Sequence, residues 1–460
     1  MAPLTASTTS WRQWLQMSGT SQKRKNDNAE EVFDPKVHLA YTPPTTKLTF
    51  EDLRLPRSPT STEVAATVPF PLLSPRGIRA YRRALFASEV VEKCSASPFP
   101  GTLTLRNASA HSRFIRDFWN HPETLRAVSD AAGVPLSIVM PTEIAHTNIQ
   151  ASGTNVANMM EALEVEPSNE KIPLTDEERA YDPLKASSII PWHYDSYPYV
   201  CVVMLSDTDG MVGGQTFIER GDGMAQEVKG PSLGYGVILQ GGEVKHLAAR
   251  ALGVKERIST ITSFTADVPG VYDSSYITNL RCYTEPNVLY KQWTQFRLQK
   301  MQTEICMMQA QISKADGPLD VEKVHRFVEC QTEYLKRTAH QLIQREQVDE
   351  SLAKYGRRNI HEASNIFHKA TALDDFTQLA MMVTREKWLP HSSLWADLAE
   401  SRLKIGAKKY LPSQQTGQLR WKGTREYTMG DELSRQGLPE LLLSWMDAAG
   451  LYDKVSQDRQ

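Results

Sequence analysis

His193 and Asp195 stand two residues apart in "SIIPWHYDSYPYVCVVMLSD" (188–207), just ahead of a run of β-branched and aromatic residues that reads as a buried strand. In an extended chain, residues two apart share a side, so the imidazole and the carboxylate face one way and Tyr194 the other. Turning both toward an interior is unfavourable unless something compensates them. Either the two pair with each other or a metal ion holds both. A metal needs a further ligand, and the next histidine downstream is His246, in "LQGGEVKHLAARALGVKERISTITSF". Across a jelly roll that separation spans several short strands and can return the chain to the same mouth of the barrel. Two histidines and one carboxylate on one side of a metal leave the opposite positions open, which suits ferrous iron that must take up O2 and a substrate.

Arg257 and Ser259 follow, again two apart, at the start of the last strand. An arginine beside a hydroxyl makes a fork for a carboxylate. If that strand runs back through the barrel, the fork points toward the metal. A dicarboxylate such as 2-oxoglutarate could then chelate the metal at its keto-acid end and pair its far carboxylate with Arg257 and Ser259. Arg250, the rival cation, lies too near His246 to reach that strand.

The pattern His193-Tyr194-Asp195, His246, Arg257-Ile258-Ser259 resembles the iron(II)- and 2-oxoglutarate-dependent dioxygenases, and "GGQTFIE" is similar to that family's strand after the first ligands. The stretch from Trp192 to Phe264 looks closest to a fungal branch of the family. The resemblance covers about residues 80–300. It implies a double-stranded β-helix (jelly-roll, cupin-like) core, His193, Asp195 and His246 as catalytic Fe(II) ligands, and Arg257 and Ser259 as the 2-oxoglutarate anchor. It also implies O2 as second co-substrate, release of succinate and CO2, and hydroxylation, desaturation or ring closure at an unactivated C–H bond. The substrate it implies is a small organic molecule of specialised metabolism. Asp195 argues against a halogenase, which lacks that carboxylate. Two alternatives are a jumonji-type protein hydroxylase or demethylase, against which Arg257 counts because those usually anchor 2-oxoglutarate with lysine, and a non-catalytic interaction protein on the same scaffold.

Other residues carry weaker signals. His146 and Asn148, two apart in "EIAHTNIQ", are either satisfied core polar groups or pocket residues, Asn148 bonding the co-substrate and His146 lining the cavity. Tyr197 and Tyr199 either wall the substrate cavity or pack in the core. Trp192 reads as packing. His361 and His368, seven apart on an expected helix, read as surface residues. No nucleophile elbow, Walker loop or zinc-cysteine pattern is present.

The elements that must position these residues follow from periodicity. Residues 1–75 are polar and rich in Pro, Ser and Thr and read as disordered or loosely attached. Helical spacing over 77–94 and 111–133, the second ended by Gly133 and Pro135, precedes a strand region at 138–150. Strands are predicted at 199–205, 216–219, 225–229, 236–239 and 258–264, separated by glycine-rich turns, the pattern of a sandwich or barrel. From Pro286 the period becomes helical, with a stripe of Leu289, Trp293, Phe296, Met301, Ile305, Met308 and Ile312. A second helix follows from Val321 to about Gln344, and others are predicted at 360–388 and 436–449. The expected organisation is α+β: a loose segment 1–75, a dioxygenase core 76–284 with helices before its β-helix, and a helical extension 285–460 that could mediate a homodimer.

Composition excludes several classes. The 460 residues are 40% hydrophobic with a formal net charge of −2, which gives no electrostatic footprint for nucleic acid or an anionic membrane. No stretch approaches the roughly 20 apolar residues of a membrane span. Five scattered cysteines with no C-x-x-C argue for reduced thiols and a cytoplasmic location. The Ser/Thr-rich, basic start lacks a secretory h-region and leaves a mitochondrial presequence as the alternative.

Overall fold

Strand and turn signals between residues 190 and 266 are realised as short strands that pass alternately between two antiparallel sheets. The structure, a computed structural model, describes residues 30–58, 60–96, 103–151, 163–185, 190–268, 271, 273–282, 284–344, 419–420 and 426–427. It divides into two units, 1–342 and 343–460.

The first unit carries helices α1 (Pro35–His38), α2 (Pro75–Leu85), α3 (Ser88–Cys94), α4 (Arg113–Asn120), α5 (Pro122–Ala132), α6 (Asp176–Arg179), α7 (Pro286–Lys314) and α8 (Val321–His340). Its strands up to the first metal-ligand candidate are β1 (Lys47–Thr49), β2 (Val64–Thr67), β3 (Phe70–Pro71), β4 (Ser95–Ala96), β5 (Leu103–Leu105), β6 (Leu136–Ile138), β7 (His146–Ala151) and β8 (Ile190–His193). The rest are β9 (Tyr199–Met204), β10 (Val212–Gly213), β11 (Thr216–Glu219), β12 (Ala225–Val228), β13 (Tyr235–Leu239), β14 (His246–Ala248), β15 (Ala251–Leu252) and β16 (Glu256–Ala266). The larger sheet has the order β1-β2-β13-β9-β16-β7-β5-β4, with β3 beside β13 and β6 beside β16; the smaller is β12-β11-β14-β8. Successive strands β8, β9, β11–β12, β13, β14 and β16 thus alternate between sheets, the winding expected of a jelly roll. Ile218 and Val228 of the smaller sheet share one buried cluster with Val200, Val237 and Leu239 of the larger. The other face of the larger sheet is covered by α2–α5, whose Tyr81, Phe114, Phe118 and Trp119 are fully buried with Phe264 and Ile258. No helix among the described residues is long and apolar enough to cross a membrane.

Three expectations are corrected. From residue 30 onward the N-terminal segment is not loose: Phe33, Phe50 and Leu53 are buried, and Ala66 of β2 pairs with Leu239 of β13, extending the larger sheet. Each N-terminal helical stretch is two helices. The second breaks at His121, which is extended (φ −70°, ψ 135°) because the Pro122 ring disfavours helix in the residue before it. The boundary at 284/285 does not separate a domain either. Leu289, Trp293 and Phe296 of α7 are buried against Val139, Met140 and Tyr197 of the β core. The helices predicted at 360–388 and 436–449 lie outside the described residues. In the second unit, β17 (Leu419–Arg420) pairs antiparallel with β18 (Glu426–Tyr427).

A buried ion pair joins α7 and α8 to the segment after β16. Arg297 meets Asp273 at 2.7 Å, both side chains fully buried. Arg297 Nε donates to Thr338 Oγ1 at 2.9 Å, and its guanidinium lies 3.3 Å from the Tyr334 ring centroid. The segment so held reaches the site: the Tyr276 amide donates to the Ser196 carbonyl at 3.0 Å, next to Asp195. Replacing Arg297 by methionine strands a buried carboxylate, and breaking a buried pair in this way costs about 3–5 kcal/mol. Arg297→Met should lower the urea midpoint accordingly, and Arg297→Met with Asp273→Asn should recover part of the loss; unchanged midpoints would contradict this role for the pair.

Candidate metal centre

His193 ends β8 and His246 begins β14, and the two are directly paired in the smaller sheet. Their rings lie 4.2 Å apart, centroid to centroid. Asp195, just beyond the end of β8, completes the group: its Oδ1 is 3.6 Å from His193 Nε2 and its Oδ2 is 3.7 Å from His246 Nε2. One ligand atom from each of the three lies within 4.8 Å of the others. The structure thus brings together the three residues that the sequence singled out.

Hydrogen bonding prepares the ligand atoms. His246 Nδ1 lies 3.0 Å from the Val244 carbonyl, which can only accept, so the proton sits on Nδ1 and the Nε2 lone pair faces Asp195. Burial, reinforced by the neighbouring His193, lowers the His246 pKa to about 4, so the ring is neutral at physiological pH. Burial opposes ionisation of Asp195, yet His246 and His193 outweigh it and hold its pKa below the usual carboxylate value. A neutral imidazole and an ionised carboxylate are the forms that bind a cation.

Gly241 fixes the carboxylate. Its carbonyl accepts the Asp195 amide at 2.8 Å, and a Cβ there would stand 1.8 Å from Asp195 Oδ2. No other residue type leaves room for the ligand. The "QGG" turn was legible in the sequence, but this close approach was not.

Across the interior, β16 carries Arg257 and Ser259 on its inward face, and alternation sends Glu256 outward. Glu256 is engaged there by the buried Arg82, 2.8 Å away. Arg257 has no such partner among the described residues. It is 7% exposed, donates to the Gly214 carbonyl at 3.3 Å and lies 3.5 Å from Ser259 Oγ, and its Nε has no hydrogen-bond acceptor among the described residues. Burial alone lowers its pKa to about 10, which still leaves it a cation. A buried guanidinium without a counter-ion is unfavourable, and an incoming carboxylate would relieve it.

The register places the remaining candidates. Asn148 lies directly opposite Ser259, Gln150 opposite Arg257 and His146 opposite Ile261, so all three side chains share the inward face. Gln150 Oε1 is buried without a hydrogen-bond partner among the described residues. His146 Nδ1 lies 3.3 Å from Arg106 Nη1. A guanidinium only donates, so the His146 proton is on Nε2. Burial and the Arg106 cation keep this histidine neutral, well below the ordinary range. Arg106 in turn donates to Glu143 at 2.7 Å. Arg106 and Glu143 were not anticipated; they sit just outside the strands, where no periodicity marks them. Tyr197 is buried beneath α7, with its hydroxyl unpartnered among the described residues and its pKa pushed up by burial and by Glu143. Tyr199 is a correction. It pairs with Phe264 on the outward face and bonds Thr62, so it packs in the outer core and does not wall the cavity. Trp192 packs beside Phe217 and Leu247, as expected.

No protein-family model matches the sequence, and no curated protein does. Among solved structures the chain is similar to an oxidoreductase of the 2OG-Fe(II) oxygenase family from Burkholderia pseudomallei, at 11% identity and TM-score 0.27 over 42% of this chain and 79% of that one. It is similar to a prolyl-4-hydroxylase from Pseudomonas putida at 16% identity and TM-score 0.24, over 41% of this chain and 85% of that one. A third is HygX from Streptomyces hygroscopicus, with nickel, 2-oxoglutarate and hygromycin B bound, at 16% identity and TM-score 0.26 over 43% and 82%. Likeness at this level carries no weight beside the geometry of the centre itself.

Because the Gly241 backbone leaves no space for a methyl group beside Asp195, Gly241→Ala should weaken Mn(II) or Co(II) binding about 10- to 100-fold, the usual effect of disturbing a ligand's support. Calorimetric titration of the purified chain checks this; unchanged affinity would remove Asp195 from the ligand set.

Proposed function

We infer that this chain is an oxidoreductase: an Fe(II)- and 2-oxoglutarate-dependent dioxygenase of the double-stranded β-helix type, acting on a small organic molecule. The observation that carries the reading is the placement of a metal-ligand set and a buried arginine on the two sheets that enclose one interior. On the smaller sheet, His193, Asp195 and His246 form a group able to hold a metal ion. On the larger, Arg257 is a buried cation with no carboxylate partner among the described residues. A dicarboxylate that chelates a metal would engage both.

In this reading His193, Asp195 and His246 hold Fe(II), and three protein ligands leave room for co-substrates. Arg257 and Ser259 bind the distal carboxylate of 2-oxoglutarate, with the Asn148 amide beside Ser259 available to the same ligand. Iron bound there would supply O2 activation, coupling conversion of 2-oxoglutarate to succinate and CO2 with oxidation of a substrate C–H bond. The protein's own residues orient and select. His146, fixed by Arg106, offers an Nε2–H donor to an oxygen of the substrate, and Arg106 is itself held by Glu143. The apolar interior of Val200, Val202 and Ile261 excludes water from the reacting atoms. An interaction protein on an inert scaffold has no need of an uncompensated Arg257.

Purified chain with Fe(II), ascorbate, O2 and 2-oxoglutarate should release succinate. His193→Ala with Asp195→Ala should abolish it. Arg257→Ala removes one charge-assisted carboxylate contact, about 2–3 kcal/mol, and should raise the 2-oxoglutarate concentration required roughly 30- to 150-fold. Succinate release equal in all three proteins would overturn the assignment.

A further inference from the structure

Helices α7 and α8 form an antiparallel hairpin. Trp293 and Arg297 of α7 meet Thr338 and Tyr334 of α8, and farther along α7 Glu304 meets Gln331, so rising numbers on one helix face falling numbers on the other. The inner face of α7 beyond Phe296 is Arg297, Lys300 and Glu304, engaged by Asp273, by the Ala266 carbonyl and by Gln331 respectively. The apolar residues Leu298, Ile305 and Ile312 of α7, and Val321, Val328, Leu335 and Leu342 of α8 and its end, are each 37–56% exposed.

Their placement is regular. Both sets recur every seven residues, the spacing of a seam made to meet another helix. At about 100° per residue, the α7 stripe lies roughly 100° round the helix from the contact with α8, and the α8 stripe roughly 80° round from its contact with α7, in the same rotational sense. Because the helices are antiparallel, equal senses put both stripes on one side of the hairpin. The result is a single apolar face carried by two helices.

Charge distinguishes this face from ordinary surface. Between Leu298 and Ser313 the only charged residues are Lys300 and Glu304, both on the inner face. What α7 shows outward is Leu, Ile, Met, Gln, Thr and Cys. Depletion of charge around exposed apolar side chains marks the centre of a protein–protein interface. The α7 stripe, without charge around it, has nothing to repel an identical stripe. Two antiparallel hairpins related by a two-fold axis would form a four-helix bundle in which each stripe meets its counterpart.

We propose that this face is a homodimer interface, its occupant the α7–α8 hairpin of a second copy of the chain. The stripe of α8 is about 30 Å long and the hairpin about 20 Å wide, so roughly 600 Å² per copy is covered. That is at the lower end for a specific interface, and the expected dimer dissociates in the micromolar range.

Sedimentation equilibrium of the full chain, from nanomolar to tens of micromolar, tests this. The average mass should rise from one chain toward two. Ile305→Glu with Val328→Glu, at exposed positions that leave the folded chain intact by circular dichroism, should raise the dissociation constant at least roughly 100-fold by placing unpaired charges in the seam. Arg326→Glu, on the far side of α8, should leave it unchanged. A chain that stays monomeric throughout, a double variant that dimerises like the parent, or an Arg326 variant as weak as the seam variant would each overturn the proposal. None of these outcomes depends on the metal centre.

Discussion

His193 and His246 face each other across one pair of strands, with Asp195 reaching between them. Three groups that a metal would join are thereby gathered in one place, with the two histidines holding Asp195 ionised against the effect of burial. Much of the surrounding structure holds this arrangement. Gly241 gives up its side chain to admit Asp195, and the Val244 carbonyl sets the His246 tautomer. The Arg297–Asp273 pair fixes the segment whose Tyr276 amide grips Ser196. The C-terminal hairpin is in this sense part of the support of the centre, though it lies well beyond the ligands in sequence.

The second constraint is the asymmetry between two neighbouring residues of β16. Glu256 and Arg257 could neutralise each other in a disordered chain. The strand sends them to opposite faces, and Arg82 takes the glutamate. The interior is left with a fixed positive charge facing the ligand group. Electrostatic preorganisation of this kind costs folding stability, which an anionic ligand would return on binding.

Much of the centre was legible in the sequence because it is written in local spacing. Residues two apart on a strand share a face, and this alone aligns His193 with Asp195 and Arg257 with Ser259. The strands were legible too, since glycine turns punctuate alternating apolar runs. What could not be read depends on contacts between distant segments. Residues 30–75 looked loose because their strands are only two to four residues long and set among Pro and Thr, yet Ala66 finds Leu239 far along the chain. The same distance hides Arg106 and Glu143 behind His146. Tyr199 was misplaced because strand alternation tells which residues share a face, not which face looks inward. On α7 the stripe was visible, but only its start, at Trp293, meets α8, and the contact continues through the polar Arg297 and Glu304.

Anaerobic addition of Fe(II) and then 2-oxoglutarate to the purified chain tests the central claim, that metal group and lone arginine form one composite site. Visible absorbance from a metal-to-ligand charge transfer should appear only with both present and should require far more 2-oxoglutarate in Arg257→Leu. Absence of the band in the parent chain, with Fe(II) and 2-oxoglutarate each failing to bind by calorimetry, would contradict it.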